Sequence, residues 1–354
     1  MKIASIVGAR PQFIKAAPLE RELRKLHEHA LIHTGQHYDY LMSAVFFEEL
    51  GIPEPDHNLG VGSASHGRQT GEMLIKIEET LSRERPDCLL VYGDTNSTLA
   101  GALAAAKLDL PVAHVEAGLR SFNRHMPEEI NRVLTDHMAD LLFCPTETAR
   151  HNLAREGITK GVFNVGDVMY DAVLRSIDIV ERRSHVLSSL NLQPRSYLLA
   201  TIHRPSNTDN LQSLSDILAA FNKVGEDIVF PAHPRTSQAI ARTGCQLSSR
   251  VKLLEPVSYL DMLALERNAR LILTDSGGVQ KEAYFFGVPC VTLREETEWV
   301  ETTEAGWNML VGANEAKIIQ AVQEFQPQGE RSKVFGDGKA SQKIAHHLES
   351  MNRS

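Results

Sequence analysis

The chain has 354 residues, of which 42% are hydrophobic and 23% charged, and its formal net charge is −8. That length suits two domains of ordinary size, the composition is that of a globular rather than a disordered protein, and the acidic surplus argues against nucleic acid as a partner. The start, MKIASIVGARPQF, reads as a strand and a turn rather than a secretory signal, and no apolar run is long enough to span a bilayer, so the expectation is a cytoplasmic protein with no membrane partner.

In chain order, a short apolar run, a turn and an amphipathic stretch recur many times. The runs at 2–7, 30–34, 88–92, 112–115, 141–144 and 162–165 read as buried strands. Those at 197–202, 228–232, 251–254, 271–274 and 289–293 read likewise. Between them, 70–81 places Leu74, Ile77 and Leu81 on one helical face. Such alternation predicts α/β architecture, with parallel sheets covered by helices on both faces. A polar seam at about 180–196 divides the pattern, giving Rossmann-like domains over 1–180 and 190–337. A last helix within 338–354 is expected to return to the first domain. Cys88, Cys144, Cys245 and Cys290 are scattered and read as reduced thiols; no metal site is expected.

Ligands in open α/β sheets bind beyond the carboxyl ends of the strands. Nearly every predicted strand here ends in polar groups of catalytic type. Arg10 and Lys15 follow the first, Gln36 and His37 the second, Asp94 the third and Glu116 the fourth; Glu128 and Glu129 open a later helix. In the second half the ends are His203-Arg204, His233-Pro-Arg235 and Asp275-Ser276-Gly277-Gly278. Ser276 can cap a helix whose first N–H groups favour a phosphate, and Glu282 is placed to reach a ribose. A plain cap and a surface acid are the competing readings. Arg10, Lys15, His203, His233 and Arg235 can neutralise a diphosphate. Asp94, Glu116 and Glu128 can move a proton at a sugar carbon. For Glu128 and Glu129, compensation of a helix dipole competes. Gly60-Val-Gly62 lacks the third glycine of a dinucleotide fingerprint, and the five glutamates from Glu295 to Glu304 are too irregular for a metal site.

These segments resemble one known family over nearly the whole chain: GARPQFIK at 8–15, HTGQH at 33–37, VYGDTNSTLAGALAA at 91–105, HVEAGLRS at 114–121, PEEINR at 127–132, HR at 203–204, HPR at 233–235 and LTDSGGVQKEA at 273–283. The family is the non-hydrolysing UDP-N-acetylglucosamine 2-epimerases. The resemblance implies a GT-B-like fold with the nucleotide in the interdomain cleft, a homodimer, and no cofactor. It implies anti elimination of UDP to a 2-acetamidoglucal, then re-addition with protonation of carbon 2 on the other face. The matching catalytic positions are Arg10, Lys15, Asp94, Glu116, Glu128 and His203; Ser276, Gly277, Gly278 and Glu282 match contacts to phosphate and ribose.

Three departures qualify the match. Asp39 stands where members activated by a second UDP-sugar carry Gln, although Gln36 and His37 are kept. The His-Arg element continues Pro-Ser206-Asn207 rather than with a glutamate. The loop from Arg120 to Pro127 is short. That loop, MPEEINR and FFGVPC at 285–290 resemble the branch acting on UDP-2,3-diacetamido-2,3-dideoxyglucuronate, whose extra carboxylate Arg120 or Arg124 would meet. The rivals are a GT-B glycosyltransferase, which would release UDP only with an acceptor, a hydrolysing epimerase, separable by its products, and a UDP-sugar sensor, against which the three acids argue.

Overall fold

The computed structural model describes residues 1–36, 51 and 53–351. They form two compact units: Met1–Arg175 joined by the segment from Lys333 onward, and Ser176–Ser332. The first unit holds β1 (Lys2–Val7), β2 (Glu28–His33), β3 (His57–Asn58), β4 (Cys88–Tyr92), β5 (Val112–Val115), β6 (Leu141–Cys144) and β7 (Val162–Asn164), in sheet order β3-β2-β1-β4-β5-β6-β7. The second holds β8 (Leu198–Thr201), β9 (Ile228–Pro231), β10 (Val251–Leu254), β11 (Leu271–Thr274), β12 (Cys290–Thr292) and β13 (Asn308–Leu310), in order β10-β9-β8-β11-β12-β13. Neighbouring strands pair in parallel, as between Ile3 and Cys88 or Leu271 and Leu198. Each sheet therefore reverses its winding once, between β1 and β4 and between β8 and β11, and a ligand crevice belongs at such a point.

Period-two burial explains how the first sheet is covered on both faces. Ile3 and Val7 join one apolar cluster with Phe13, Leu19 and Leu23. Ala4 and Ile6 join another with Met73, Ile77 and Leu81 of the helix His66–Glu84. The stretch predicted at 70–81 is the middle of that longer helix. The helix Asn96–Lys107 lies close to the sheet at Gly101, where an added Cβ would come within 3.1 Å of Val91 and 3.2 Å of Ile6. Two short strands escaped the sequence reading, His57–Asn58 and Asn308–Leu310. Runs of two and three residues with polar members give no periodicity to detect.

The C-terminal helix, Ala340–Met351, packs Ile344, Ala345 and Leu348 into the first cluster. Its start is capped by another helix. Asp171, in Val168–Arg183, accepts the N–H groups of Ala340 (3.1 Å) and Ser341 (2.8 Å). Losing such a cap costs about 1 kcal/mol. Asp171→Ala is therefore expected to raise amide hydrogen exchange in 340–351 several-fold, with little change in the strands of the second unit. Uniform exchange changes across the chain would contradict this local role.

Ser5, His29 and Glu20 form a relay with the outline of a hydrolase triad: Ser5 Oγ lies 2.8 Å from His29 Nε2, and His29 Nδ1 2.8 Å from Glu20. Ser5 is 0% exposed and Glu20 2%. No substrate reaches it, and only the Ser5–His29 link is aligned as a hydrogen bond, so the cluster is an internal polar contact of the core.

Candidate functional site

The first crevice is built where β1 and β4 end. Gln12, buried in the helix Arg10–Leu26, accepts the N–H groups of Gly8 (2.8 Å) and Ala9 (3.0 Å). Its amide donates to the Tyr92 carbonyl (2.9 Å) and to Thr98 (3.0 Å). One side chain thus ties the turn after β1 to the end of β4. One turn further along the helix, the Lys15 ammonium pairs with the Glu116 carboxylate; their side chains are 11% and 4% exposed. Arg10 is the first residue of that helix. Gln36 accepts from the Ser97 N–H (3.1 Å) and hydroxyl (2.7 Å), which links the chain after β2 to the start of the helix Asn96–Lys107. His37 and Asp39 lie outside the described residues.

Glu116 has φ of +71°, a left-handed conformation that costs a non-glycine residue energy. The turn is held because the N–H groups of Glu116 (3.0 Å) and Ala117 (3.1 Å) both donate to the Phe143 carbonyl. Gly93, at φ +62°, leaves space beside the pair: an added Cβ would lie 3.1 Å from Lys15 Nζ and 3.3 Å from Glu116 Oε2. Gly93→Ala is expected to fold but to lose at least tenfold in turnover, read by steady-state kinetics beside a melting curve, because misplacing a reacting group by about 1 Å can cost 10²-fold. Full activity would mean that the pair tolerates displacement.

Asp94 ends the next turn, and Arg132 grips it through Nε (2.9 Å) and Nη2 (2.6 Å). Arg132 also bonds Glu129 (2.9 Å). Asn131 donates to the Asp94 carbonyl (2.9 Å). The helix Pro127–Met138 thus clamps the Asp94 turn, a role the sequence reading missed. The signal was present in PEEINR, where Arg132 stands four residues after Glu128 and three after Glu129, on one helical side. The two glutamates are not equivalent. Glu129 is 3% exposed and accepts from the Ser121 N–H and hydroxyl (both 2.9 Å) and from the Phe122 N–H (2.9 Å). Burial pushes its carboxyl up, but those donors and Arg132 bring it below the usual range. Glu129 clasps the 121–126 loop, while half-buried Glu128 stays with the candidate acids.

Arg120 requires a correction. Its side chain is 1% exposed, and its guanidinium bonds Asp136 (2.7 Å) and, with two nitrogens, Glu156 (2.7 Å each). Asp136 also binds His114 Nδ1 (2.7 Å), and His114 Nε2 meets the Gly93 carbonyl (2.8 Å). Arg120 is thus spent on an internal network that braces the Gly93 turn from behind, and it does not face a substrate carboxylate. Arg124 lies exposed in the following turn and remains available.

In the second unit, buried Asp275 plays the tying role at the β8/β11 reversal. It accepts the N–H groups of His203 (3.0 Å) and Arg204 (3.0 Å) and the Asn207 amide (3.0 Å). His203 Nδ1 stands 3.6 Å from the same carboxylate. Lost solvation is the largest cause lowering the His203 pKa, although 52% of its side chain stays accessible; Asp275 opposes, and Arg204, His233 and Arg294 add to the lowering. Ser276 caps the helix Gly277–Phe286, accepting from the Val279 N–H (3.5 Å), and Gly277 and Gly278 open its first turn. Gly277 lets the Glu298 carboxylate approach the backbone; a Cβ there would make that carboxylate shift. Glu282 is 4% exposed and accepts from the Tyr259 hydroxyl (3.2 Å). His233 caps the helix Pro234–Thr243, and Arg235 pairs with Asp209 (2.8 Å); both are exposed. Lys281, also missed, is 1% exposed with its ammonium 3.9 Å from the Trp299 ring centroid. Among the described residues, no three His, Cys, Asp or Glu side chains gather as a metal would require, and no helix is long and apolar enough to cross a membrane.

Two parallel, helix-covered units make this an α/β, GT-B-like fold. The family model described as UDP-N-acetylglucosamine 2-epimerase matches residues 21–349. The chain is 56% identical to the UDP-N-acetylglucosamine 2-epimerase homolog of Methanococcus maripaludis, over 99% of this chain and 100% of the relative. It is 48% identical to the UDP-2,3-diacetamido-2,3-dideoxy-D-glucuronate 2-epimerase of Pseudomonas aeruginosa, over 98% and 99%. The solved UDP-GlcNAc 2-epimerase of Methanocaldococcus jannaschii, in complex with UDP-GlcNAc and UDP, superposes with a TM-score of 0.93 at 47% identity, covering 99% of this chain and 100% of that one. The chain belongs to the UDP-N-acetylglucosamine 2-epimerase family, as its motifs implied, and is therefore an enzyme of the isomerase class.

Proposed function

We propose that this protein interconverts UDP-GlcNAc and UDP-ManNAc without hydrolysis. The observation that carries the reading is the buried Lys15–Glu116 pair beside Gly93, which leads into Asp94, at a sheet reversal. A base among Asp94, Glu116 and Glu128 takes the carbon 2 proton. The carbon 1–oxygen bond then breaks and its electron pair leaves with UDP, giving a 2-acetamidoglucal. For the return, the UDP oxygen attacks carbon 1 while a proton is delivered to the opposite face of carbon 2. Arg10, Lys15 and His203 stabilise the departing diphosphate; His233, Arg235, Ser276, Gly277 and Gly278 hold UDP, and Glu282 its ribose. Gln36 and Arg124 remain candidates for sugar or regulatory contacts.

The test is incubation with UDP-GlcNAc in deuterated water, followed by NMR. The expected product is the manno epimer with deuterium at carbon 2 and UDP still attached. Free N-acetylmannosamine would indicate a hydrolysing enzyme, and UDP release only with an acceptor a glycosyltransferase. A second reading, epimerisation of UDP-2,3-diacetamido-2,3-dideoxyglucuronate, is favoured by the 48% identity to a relative of that name and is tested with that sugar in the same assay.

A homodimer fits the exposed Ile130 (47%) and Leu134 (46%), one turn apart on the helix Pro127–Met138. Light scattering is expected to give twice the chain mass, falling toward one chain mass in Ile130→Glu/Leu134→Glu; a wild-type monomer would overturn this. Four free cysteines, three of them buried, support action in the reducing cytoplasm.

A further inference from the structure

Two carboxyl groups meet inside the second unit. Glu266, in the last turn of the helix Tyr259–Asn268, is 0% exposed; Glu282, in the helix Gly277–Phe286, is 4% exposed. Neither Glu266 oxygen meets an N–H or hydroxyl donor among the described residues. The group beside it is the Glu282 carboxyl. The other titratable neighbours are Tyr197 and Cys290. The Tyr197 hydroxyl donates to the Leu265 carbonyl (2.7 Å), and the Cys290 thiol lies against Thr292 (3.9 Å), so neither proton goes to Glu266. Among the described residues, the charged group that acts on Glu266 is Glu282.

Two interior carboxylates side by side repel, and neither can satisfy the other's acceptors. One proton between them resolves both problems. Its location follows from the surroundings. Glu282 already accepts from Tyr259 at 3.2 Å. Glu266 stands at a helix C-terminus, where the backbone dipole disfavours an anion, and it is the more deeply buried of the two. We propose that Glu266 is a neutral carboxylic acid that donates a hydrogen bond to Glu282, acting as a positioning residue that keeps the Glu282 carboxylate charged and fixed to accept the two hydroxyls of a vicinal diol. Burial, and then the charge of Glu282, push the Glu266 carboxyl well above its ordinary range, in keeping with this state. The inference rests on reading Glu282 as the ribose contact.

The sign of the pH effect follows. A carboxyl whose folded pKa is raised costs no stability in acid; the cost appears above its unfolded pKa and grows until the folded pKa is reached. Glu266→Gln, which keeps a donor but cannot ionise, is expected to raise the melting temperature at neutral pH, with a gain that vanishes toward pH 4.

The deciding experiment joins infrared spectroscopy to calorimetry. Ligand-free wild type at neutral pH is expected to show a protonated-carboxyl stretch that Glu266→Gln lacks. Wild type is expected to bind UDP about tenfold more tightly than 2′,3′-dideoxy-UDP. Glu266→Gln should keep that ratio within threefold, and Glu266→Leu should lose most of it. Absence of the protonated band in wild type, or its persistence in Glu266→Gln, overturns the proposal, as does a wild-type ratio in Glu266→Leu. Should Glu266→Leu fail to fold, the infrared comparison still decides. An unchanged ratio in Glu282→Gln would instead overturn the ribose reading and leave the proton assignment to the spectra.

Discussion

Glu116→Gln is expected to lower the rate of epimerisation about 10²–10⁴-fold, the range that a positioned acid or base contributes, while UDP binding measured by calorimetry changes little. The amide is nearly the shape of the carboxylate, so the turn at φ +71° and its bonds to the Phe143 carbonyl have no reason to open. What disappears is the group able to take or give a proton, and with it the counter-charge of Lys15. Exchange of the carbon 2 proton with solvent deuterium separates the possibilities. Loss of exchange together with turnover puts Glu116 on the proton pathway. Exchange persisting while turnover falls would leave another acid as the base for that face and give Glu116 the task of orienting Lys15. A fully active variant would remove the pair from the mechanism.

Arg120→Met is expected to destabilise the first unit by about 3–5 kcal/mol, because it leaves Asp136 and its neighbour Glu156 without the cation between them. Asp136 is 1% exposed, and although burial pushes its carboxyl up, His114 and Arg120 hold it below the ordinary range. At about 2–4 °C per kcal/mol, the melting temperature of that unit should fall by roughly 10 °C. A depressed carboxyl contributes its stability above the unfolded pKa and loses it as pH falls through the folded value. The penalty should therefore shrink in acid. Arg124→Met, by contrast, should leave the melting temperature within about a degree, as for most surface substitutions. If Arg120→Met melted normally yet lost discrimination between the uronate and UDP-GlcNAc, the structural assignment of Arg120 would fail.

Much of the fold was legible because its signals are local and redundant. Most of the strands are largely apolar runs ended by a turn, which is what a sheet covered on both faces requires. The edge strands at 57–58 and 308–310 were not legible, since so few residues carry no period. At the candidate sites, sequence marked Asp94, Glu116 and His203 just past the ends of β-runs and Lys15 in the helix that follows the first strand. It could not tell an outward charge from an inward one. Arg120 and Arg124 are four residues apart in one loop, yet the first is locked between two acids and the second meets solvent. Nor could it find partners brought from afar. Gln12 spans 80 residues to the Tyr92 carbonyl, and Glu266 meets Glu282 only because two helices pack.

The docking of Ala340–Met351 against the first unit has a consequence for how the chain is made. The second unit, Ser176–Ser332, is complete in sequence before that helix leaves the ribosome. The first unit begins synthesis first but is finished last. Until the final residues emerge, Phe13, Leu19 and Leu23 lack part of their apolar cover, and Asp171 lacks the backbone groups it caps. Nascent chains are therefore exposed to chaperones and proteases through the unit whose strands are translated first, and truncation before Ala340 would harm the half of the fold translated long before it.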